Sequence, residues 1–168
     1  MSHLEHKELS PQTVTCAVLV ISDSRTEATD ESGKLLIEKL KENGHTVGDY
    51  AILKNDADAV RQKVRDLLAR QEMQVIITSG GTGASHRDVT VETVTPMLDK
   101  MLDGFGELFR SLSYEEIGTA SMMSRAIAGV AGGGKIVICI PGSLGAARLA
   151  IEKIILPEVG HMVREATR

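Results

Sequence analysis

The run Thr13 to Ile21 reads Thr-Val-Thr-Cys-Ala-Val-Leu-Val-Ile, a stretch without a charge and rich in β-branched residues. Such a segment offers no polar face to water. It fits a strand buried on both sides, as in a mostly parallel sheet whose faces are covered by helices. The run ends in the polar loop Ser22-Asp23-Ser24-Arg25. Ser32 to Asn43 then carries Leu35, Leu36 and Leu40 at helical spacing and stops at Asn43-Gly44, a typical helix C-terminus. Thr46 to Leu53 is a second, weaker strand. Ala57 to Gln71 places Val60, Val64, Leu67 and Leu68 on one helical face. Strands and helices alternate, which predicts an α/β fold with a mostly parallel central sheet.

Further along, Gln74 to Thr78 is a short buried strand that runs directly into Ser79-Gly80-Gly81-Thr82-Gly83. Val91 to Leu102 and Gly106 to Leu112 are expected to be helical, with a break near Thr95 because Pro96 cannot sit inside a helix. Ala120 to Ala128 is expected as another helix, followed by a flexible Gly129 to Gly134. Lys135 to Ile140 is the last strand. After Pro141-Gly142-Ser143 the pattern is helical through Ile155 and, past Pro157, through Arg164. Residues 1–12 are polar and read as a flexible segment, and 13–168 as a single α/β domain without internal repeat or linker.

Composition narrows the function. With 168 residues the chain has the size of one domain. Its 19 basic and 23 acidic side chains give a net charge of −4, which argues against a broad grip on nucleic acid or an anionic membrane. No Trp, two Phe and two Tyr are too few rings for a base-stacking platform. The N-terminus lacks an apolar signal core, and no apolar run approaches the ~18 residues of a membrane helix, so a cytoplasmic location is expected. Cys16 and Cys139 lie inside apolar runs and read as small buried hydrophobes.

In a sheet of this kind, ligands bind at the C-terminal ends of the strands. Four loops follow predicted strands: Ser22 to Arg25, Lys54 to Asp56, Ser79 to Asp88, and Pro141 to Ser143. The fold would gather them along one edge. Glycines at 80, 81 and 83 allow close backbone approach and positive φ, so that successive N–H groups can converge on a phosphate. The alternative is a tight strand-to-helix turn. The pattern lacks the Gly-Lys-Ser/Thr of a P-loop, and His86 stands where a dinucleotide fingerprint needs its third glycine. Arg87 could neutralise phosphate, and Asp88 could hold Mg²⁺, a cation that combines few carboxylates with phosphate oxygens. Asp88 and Thr90 could equally cap a helix. Asp56 has the same two readings, as the N-cap of the clearest helix or as a second metal carboxylate, whereas Asp30 is read as a cap. Ser124 and Arg125 belong to a polar cluster that is either a solvated helix face or a binding surface. His3 and His6 have a spacing compatible with metal binding, in a terminus expected to move freely.

The combination Thr78-Ser79-Gly80-Gly81-Thr82-Gly83, Arg87-Asp88-Val89-Thr90, Gly104-Phe105-Gly106-Glu107-Leu108-Phe109-Arg110, Glu116-Ile117-Gly118-Thr119, Ser124-Arg125-Ala126 and Pro141-Gly142-Ser143 resembles the molybdenum cofactor biosynthesis protein B family. More widely it resembles the MogA and gephyrin G-domain group. The resemblance covers nearly the whole chain after residue 12. It implies a three-layer αβα fold, self-association to a trimer or hexamer, and binding of molybdopterin. It also implies transfer of AMP from Mg-ATP to molybdopterin with release of pyrophosphate, a reaction that depends on positioning anions and neutralising charge.

On this resemblance Asp88 matches the family's loop aspartate and is the expected Mg²⁺-organising and catalytic residue. Active relatives tend to carry Pro-Asp and an acidic residue where this chain has Lys54-Asn55-Asp56. Asn55 then stands opposite the aspartate, and Asp56 is the remaining candidate for second metal and catalytic carboxylate. Ser22, Ser79, Gly80, Gly81, Thr82, Gly83, Arg87, Thr90, Ser124, Arg125, Pro141, Gly142 and Ser143 are the expected substrate- and phosphate-binding positions. The alternative is a catalytically inactive pterin-binding protein on the same scaffold.

Overall fold

The computed structural model describes residues 2–168. Its six-stranded sheet has the order β2-β1-β3-β6-β5-β4. Strands β1 (Thr15–Ile21), β2 (Thr46–Leu53), β3 (Val75–Ser79) and β6 (Lys135–Ile140) are mutually parallel, and β5 (Ile127–Ala131) is antiparallel to both β6 and β4 (Lys100–Met101). The expected mostly parallel sheet is therefore present.

The period of two along a strand explains the apolar runs. In β1, Cys16 and Val18 enter one core and Ala17, Leu19 and Ile21 the other. In β6, Ile136, Ile138 and Ile140 face the first core, and Val137 and Cys139 the second. Neither face of these strands meets water, so three layers result. Helix α2 (Glu31–Glu42) buries Leu36 and Leu40 in the first core, and α3 (Ala57–Ala69) buries Val60, Val64 and Leu67 in the second. Each such side chain contributes about 1.5–3 kcal/mol on burial. Helix α2 starts at an Asp30 cap and ends at Asn43, with Gly44 following at φ 83°. That left-handed angle suits the residue beyond a helix C-terminus.

The remaining helices are α4 (Thr90–Val94), α5 (Asp103–Ile117), α6 (Leu144–Ala150) and α7 (Leu156–Thr167). A π-helical segment, Ile151–Ile155, links α6 to α7 immediately ahead of Pro157. Proline lacks the N–H for a regular turn, and a wider turn accommodates the defect.

Three segments differ from the sequence expectation. The helix expected over Ala120 to Ala128 is a 3₁₀ turn at Gly118–Met123 followed by strand β5. Gly132, Gly133 and Gly134, at φ 56°, 76° and 118°, form the turn that folds β5 back on β6. Val91 to Leu102 is interrupted as Pro96 demands, but it ends in the two-residue strand β4. Both strands owe their conformation to pairing, which local pattern does not reveal. The N-terminal segment carries a helix of its own, α1 (His3–Glu8), with a capping box between Ser2 and Glu5. Lys7 and His6 pair with Glu158 and Glu165 of α7.

Candidate functional site

Strand β1 sends its crossover α2 to one face, and β2 sends α3 to the other, so the connections part beside the ends of β1 and β3. A cavity of about 560 Å³ opens there. Its position is that of ligand sites in open α/β sheets. Ser22, Asn55, Ser79 and Pro141 line it, each at the end of a different strand. The four strand-end loops thus converge as their order predicted.

The loop after β3 is held by its backbone. Gly80 N–H donates to the Ile140 carbonyl at 2.9 Å, which ties the loop to the end of β6. Gly80 and Gly81 have φ of 110° and 69°. A Cβ on Gly80 would lie 2.1 Å from the Ile21 carbonyl oxygen, and one on Gly81 2.1 Å from Thr90 Oγ1. Both positions therefore require glycine on two counts, conformation and space. Gly80, Gly81, Thr82 and Gly83 all line the cavity. On its other side lie Gly142 and Ser143, whose hydroxyl caps α6 by accepting from Ala146 N–H at 3.1 Å. Ser32 Oγ donates to the Gly142 carbonyl at 3.1 Å and fixes that turn to α2.

Asp88 lines the cavity beside Gly83. Ser85 donates to its Oδ2 from both hydroxyl (2.7 Å) and backbone N–H (3.2 Å). Asp23 also lines the cavity, and its Oδ1 accepts from Asn55 N–H at 3.0 Å. That hydrogen bond, aided by the charges of Lys54 and Arg87, holds the Asp23 carboxyl below the usual carboxylate range. Asn55 Oδ1 is buried and has no hydrogen-bond partner among the described residues, and neither has Ser124 Oγ on the opposite wall. Unpaired buried oxygens are uncommon and call for a partner such as a ligand group, an ion or a water; Thr78 Oγ1, outside the cavity lining, is a third.

Several expected site residues do other work. Asp56 does not line the cavity; its Oδ1 accepts from Ala59 N–H at 2.8 Å, so the cap reading describes its contact. Thr90 is fully buried and donates from Oγ1 to the Gly80 carbonyl at 2.9 Å, supporting the loop from within. Arg125 turns away from the cavity and donates to the carbonyls of Thr82 (3.0 Å) and Gly83 (2.6 Å), while pairing with Glu92. Arg87 is exposed outside the lining, with its charge acting on Asp23. Ser22 Oγ accepts from Arg25 N–H at 3.1 Å and shapes the first loop.

Sequence reasoning passed over Asp23, though its place directly after a buried strand and beside Ser22 was a usable signal. It also passed over the far wall, where Phe109, Ser113, Ile117 and Met123 come from α5 and the turn after it. The cavity therefore joins a polar, glycine-walled half to a partly apolar half. It can seat a phosphate-bearing molecule that also has a flat or apolar portion.

Comparison with known proteins identifies the family and the fold. Residues 17–161 match the family model described as probable molybdopterin binding domain. The molybdenum cofactor biosynthesis protein B of Bacillus anthracis is 52% identical over 169 residues, covering 100% of this chain and 99% of the relative. The protein of the same name from Bacillus subtilis is 48% identical, covering 98% and 97%. A crystal structure of a molybdenum cofactor biosynthesis protein B superposes with a TM-score of 0.89 at 51% identity, over 94% of this chain and 98% of that one. The tungsten cofactor synthesizing protein MoaB from Pyrococcus furiosus superposes with a TM-score of 0.85 at 37% identity, over 95% and 100%. Matched over its full length in sequence and over 94% in fold, the chain belongs to the molybdenum cofactor biosynthesis protein B family of molybdopterin-binding domains.

Proposed function

We propose that the chain acts in molybdenum cofactor biosynthesis by transferring AMP from Mg-ATP to molybdopterin in the cavity at the strand ends. The observation that carries this reading is the convergence of the glycine loop, Asp88, Asp23 and Ser143 on one cavity. The relatives, molybdenum cofactor biosynthesis proteins B, supply the pathway.

The terminal phosphate of molybdopterin attacks the α-phosphorus of ATP, the P–O bond to the β-phosphate breaks, and pyrophosphate leaves. The residues at hand suit magnesium. Asp23 and Asp88 offer carboxylate oxygens, and the unpaired Asn55 Oδ1 a carbonyl oxygen, a hard-oxygen donor set. When bound, magnesium would neutralise phosphate charge and orient the leaving group. In this reading Asp23, rather than Asp56, partners Asp88. The chain's own part is to hold two anions in line: backbone N–H groups of Gly81 to Gly83 donate to phosphate oxygens, and Phe109, Ile117 and Met123 offer an apolar wall to the rest of the ligand.

A second reading, a protein that holds molybdopterin without turnover, is favoured by one observation. An amide, Asn55, lines the cavity at the position where the resemblance sets a carboxylate. Pyrophosphate release from Mg-ATP, with and without molybdopterin, separates the two. Release that needs molybdopterin and disappears in Asp88→Asn supports transfer, and molybdopterin retention without release supports binding alone.

Self-association is part of the same proposal. Leu108, Tyr114, Ile117, Met122 and Met123 are 47–76% exposed along α5 and the following turn, beside the cavity. An apolar surface of that kind suits burial against further copies in a trimer or hexamer.

A further inference from the structure

Away from the cavity, α1 and α7 bring together side chains that the proposed reaction does not use. His6, His161 and Glu165 each offer a ligand atom within 4.8 Å of the others. His6 Nδ1 lies 2.7 Å from Glu165 Oε1, and the His6 and His161 rings meet edge to face with centroids 6.3 Å apart. His161 Nδ1 is taken by Glu158 Oε2 at 3.0 Å, which leaves Nε2 as its ligating nitrogen. A histidine whose second nitrogen is held by a carboxylate is the usual arrangement at protein-bound zinc, because the carboxylate fixes the ring and raises its basicity.

We propose that His6, His161 and Glu165 form a binding site for a zinc-type transition-metal ion that fastens the N-terminal helix to α7. Two imidazoles and one carboxylate match a three-ligand zinc set with water in the fourth position, and imidazole nitrogen disfavours magnesium and calcium. Lys7 pairs with Glu158, and Arg164 and Arg168 with Glu165, so an ion bound by Glu165 takes an oxygen from one of these guanidinium groups, which stay near enough to hold the other. The ion replaces the contact between His6 and Glu165 with bonds from both to the metal. Helix α1 has six residues and no buried side chain, so it depends on such contacts to stay docked. The site has no part in adenylyl transfer and stands or falls independently of that proposal.

The test is calorimetric titration of metal-stripped protein with zinc, and with magnesium in parallel. The expected result is saturable uptake of one zinc per chain, together with slower amide exchange in α1. His6→Ala and His161→Ala should each weaken zinc binding by more than about tenfold. Glu165→Gln, which keeps the side-chain shape, should weaken it as well, and Asp88→Asn should retain it. Absence of zinc uptake overturns the proposal. So does zinc binding that is unchanged in the His6→Ala and His161→Ala variants, which would place the ion elsewhere.

Discussion

Arg125 grips the glycine loop from behind while Glu92 grips Arg125. The guanidinium donates to the carbonyls of Thr82 and Gly83, and the Glu92 carboxylate faces its remaining N–H groups. This occupies the carbonyls of Thr82 and Gly83, and the N–H groups of Gly81 to Gly83 can face an anion while that of Gly80 is given to Ile140. Arg125 is thus a positioning residue. Arg125→Met should lower kcat/KM for molybdopterin adenylylation by at least about tenfold, equivalent to ~1.4 kcal/mol. Arg125→Lys should not rescue it, since an ammonium lacks the fork that spans two carbonyls. Steady-state kinetics of the two variants check this.

The same pair sets a pH dependence. The hydrogen bond from Arg125 holds the Glu92 carboxyl below its ordinary value. A group whose folded pKa is depressed adds stability that is present above its unfolded pKa and is lost as the pH falls through the folded one. Acid unfolding of Glu92→Gln should therefore be less steep below the ordinary glutamate range than that of the unaltered protein. Glu92 is 56% exposed, so the difference should shrink in high salt. Denaturant midpoints across the acid range measure it.

Gly81 should tolerate no side chain. Its φ of 69° disfavours any L-residue, and an added Cβ would stand only 2.1 Å from Thr90 Oγ1. Gly81→Ala should cost about 1–3 kcal/mol of stability. Thr90→Val, which strands the buried Gly80 carbonyl, should also cost about 1–3 kcal/mol. Urea unfolding reads both.

Burial pushes the thiols of Cys16 and Cys139 up to about 12. Thiolate is the reactive form, so neither should react with a thiol reagent at about pH 8 until the protein unfolds. Rapid labelling of either residue in the native protein would contradict the placement of its strand, β1 or β6, in the core.

If the chain self-associates as proposed, charge on the exposed surface of α5 and the turn after it should break that association. Met122, 76% exposed, and Tyr114, 59% exposed, stand outside the cavity lining. Met122→Glu with Tyr114→Glu should shift sedimentation toward the monomer, and an unchanged oligomer would place the interface elsewhere.

Strands β1, β3 and β6 and helices α2 and α3 were legible in the sequence because each carries one unbroken pattern, apolar runs or helical spacing, and β2, interrupted by Gly48 and Asp49, was legible more weakly. Strand β5 was not. Ile127-Ala128-Gly129-Val130-Ala131 is short and rich in small residues, and only its pairing with β6 makes it extended. In the site, the glycine loop and Asp88 were legible from their place after β3. The roles of Thr90, Arg125 and Asp56 were not, because each side chain could meet a ligand or a backbone group at the same sequence position. Thr90 turned to the Gly80 carbonyl, Arg125 to the carbonyls of Thr82 and Gly83, and Asp56 to its own helix. Asp23 had a usable signal in its place after β1, but its partner Asn55 is distant in sequence and adjacent only across β1 and β2.

The most direct test of the central claim is mass-spectrometric detection of adenylyl-molybdopterin after incubating the protein with molybdopterin and Mg-ATP. The account predicts the product with the unaltered chain, its loss in Asp88→Asn and Asp23→Asn, and its persistence in Asp56→Asn. Product formation that survives in Asp88→Asn and Asp23→Asn, or fails only in Asp56→Asn, would contradict it.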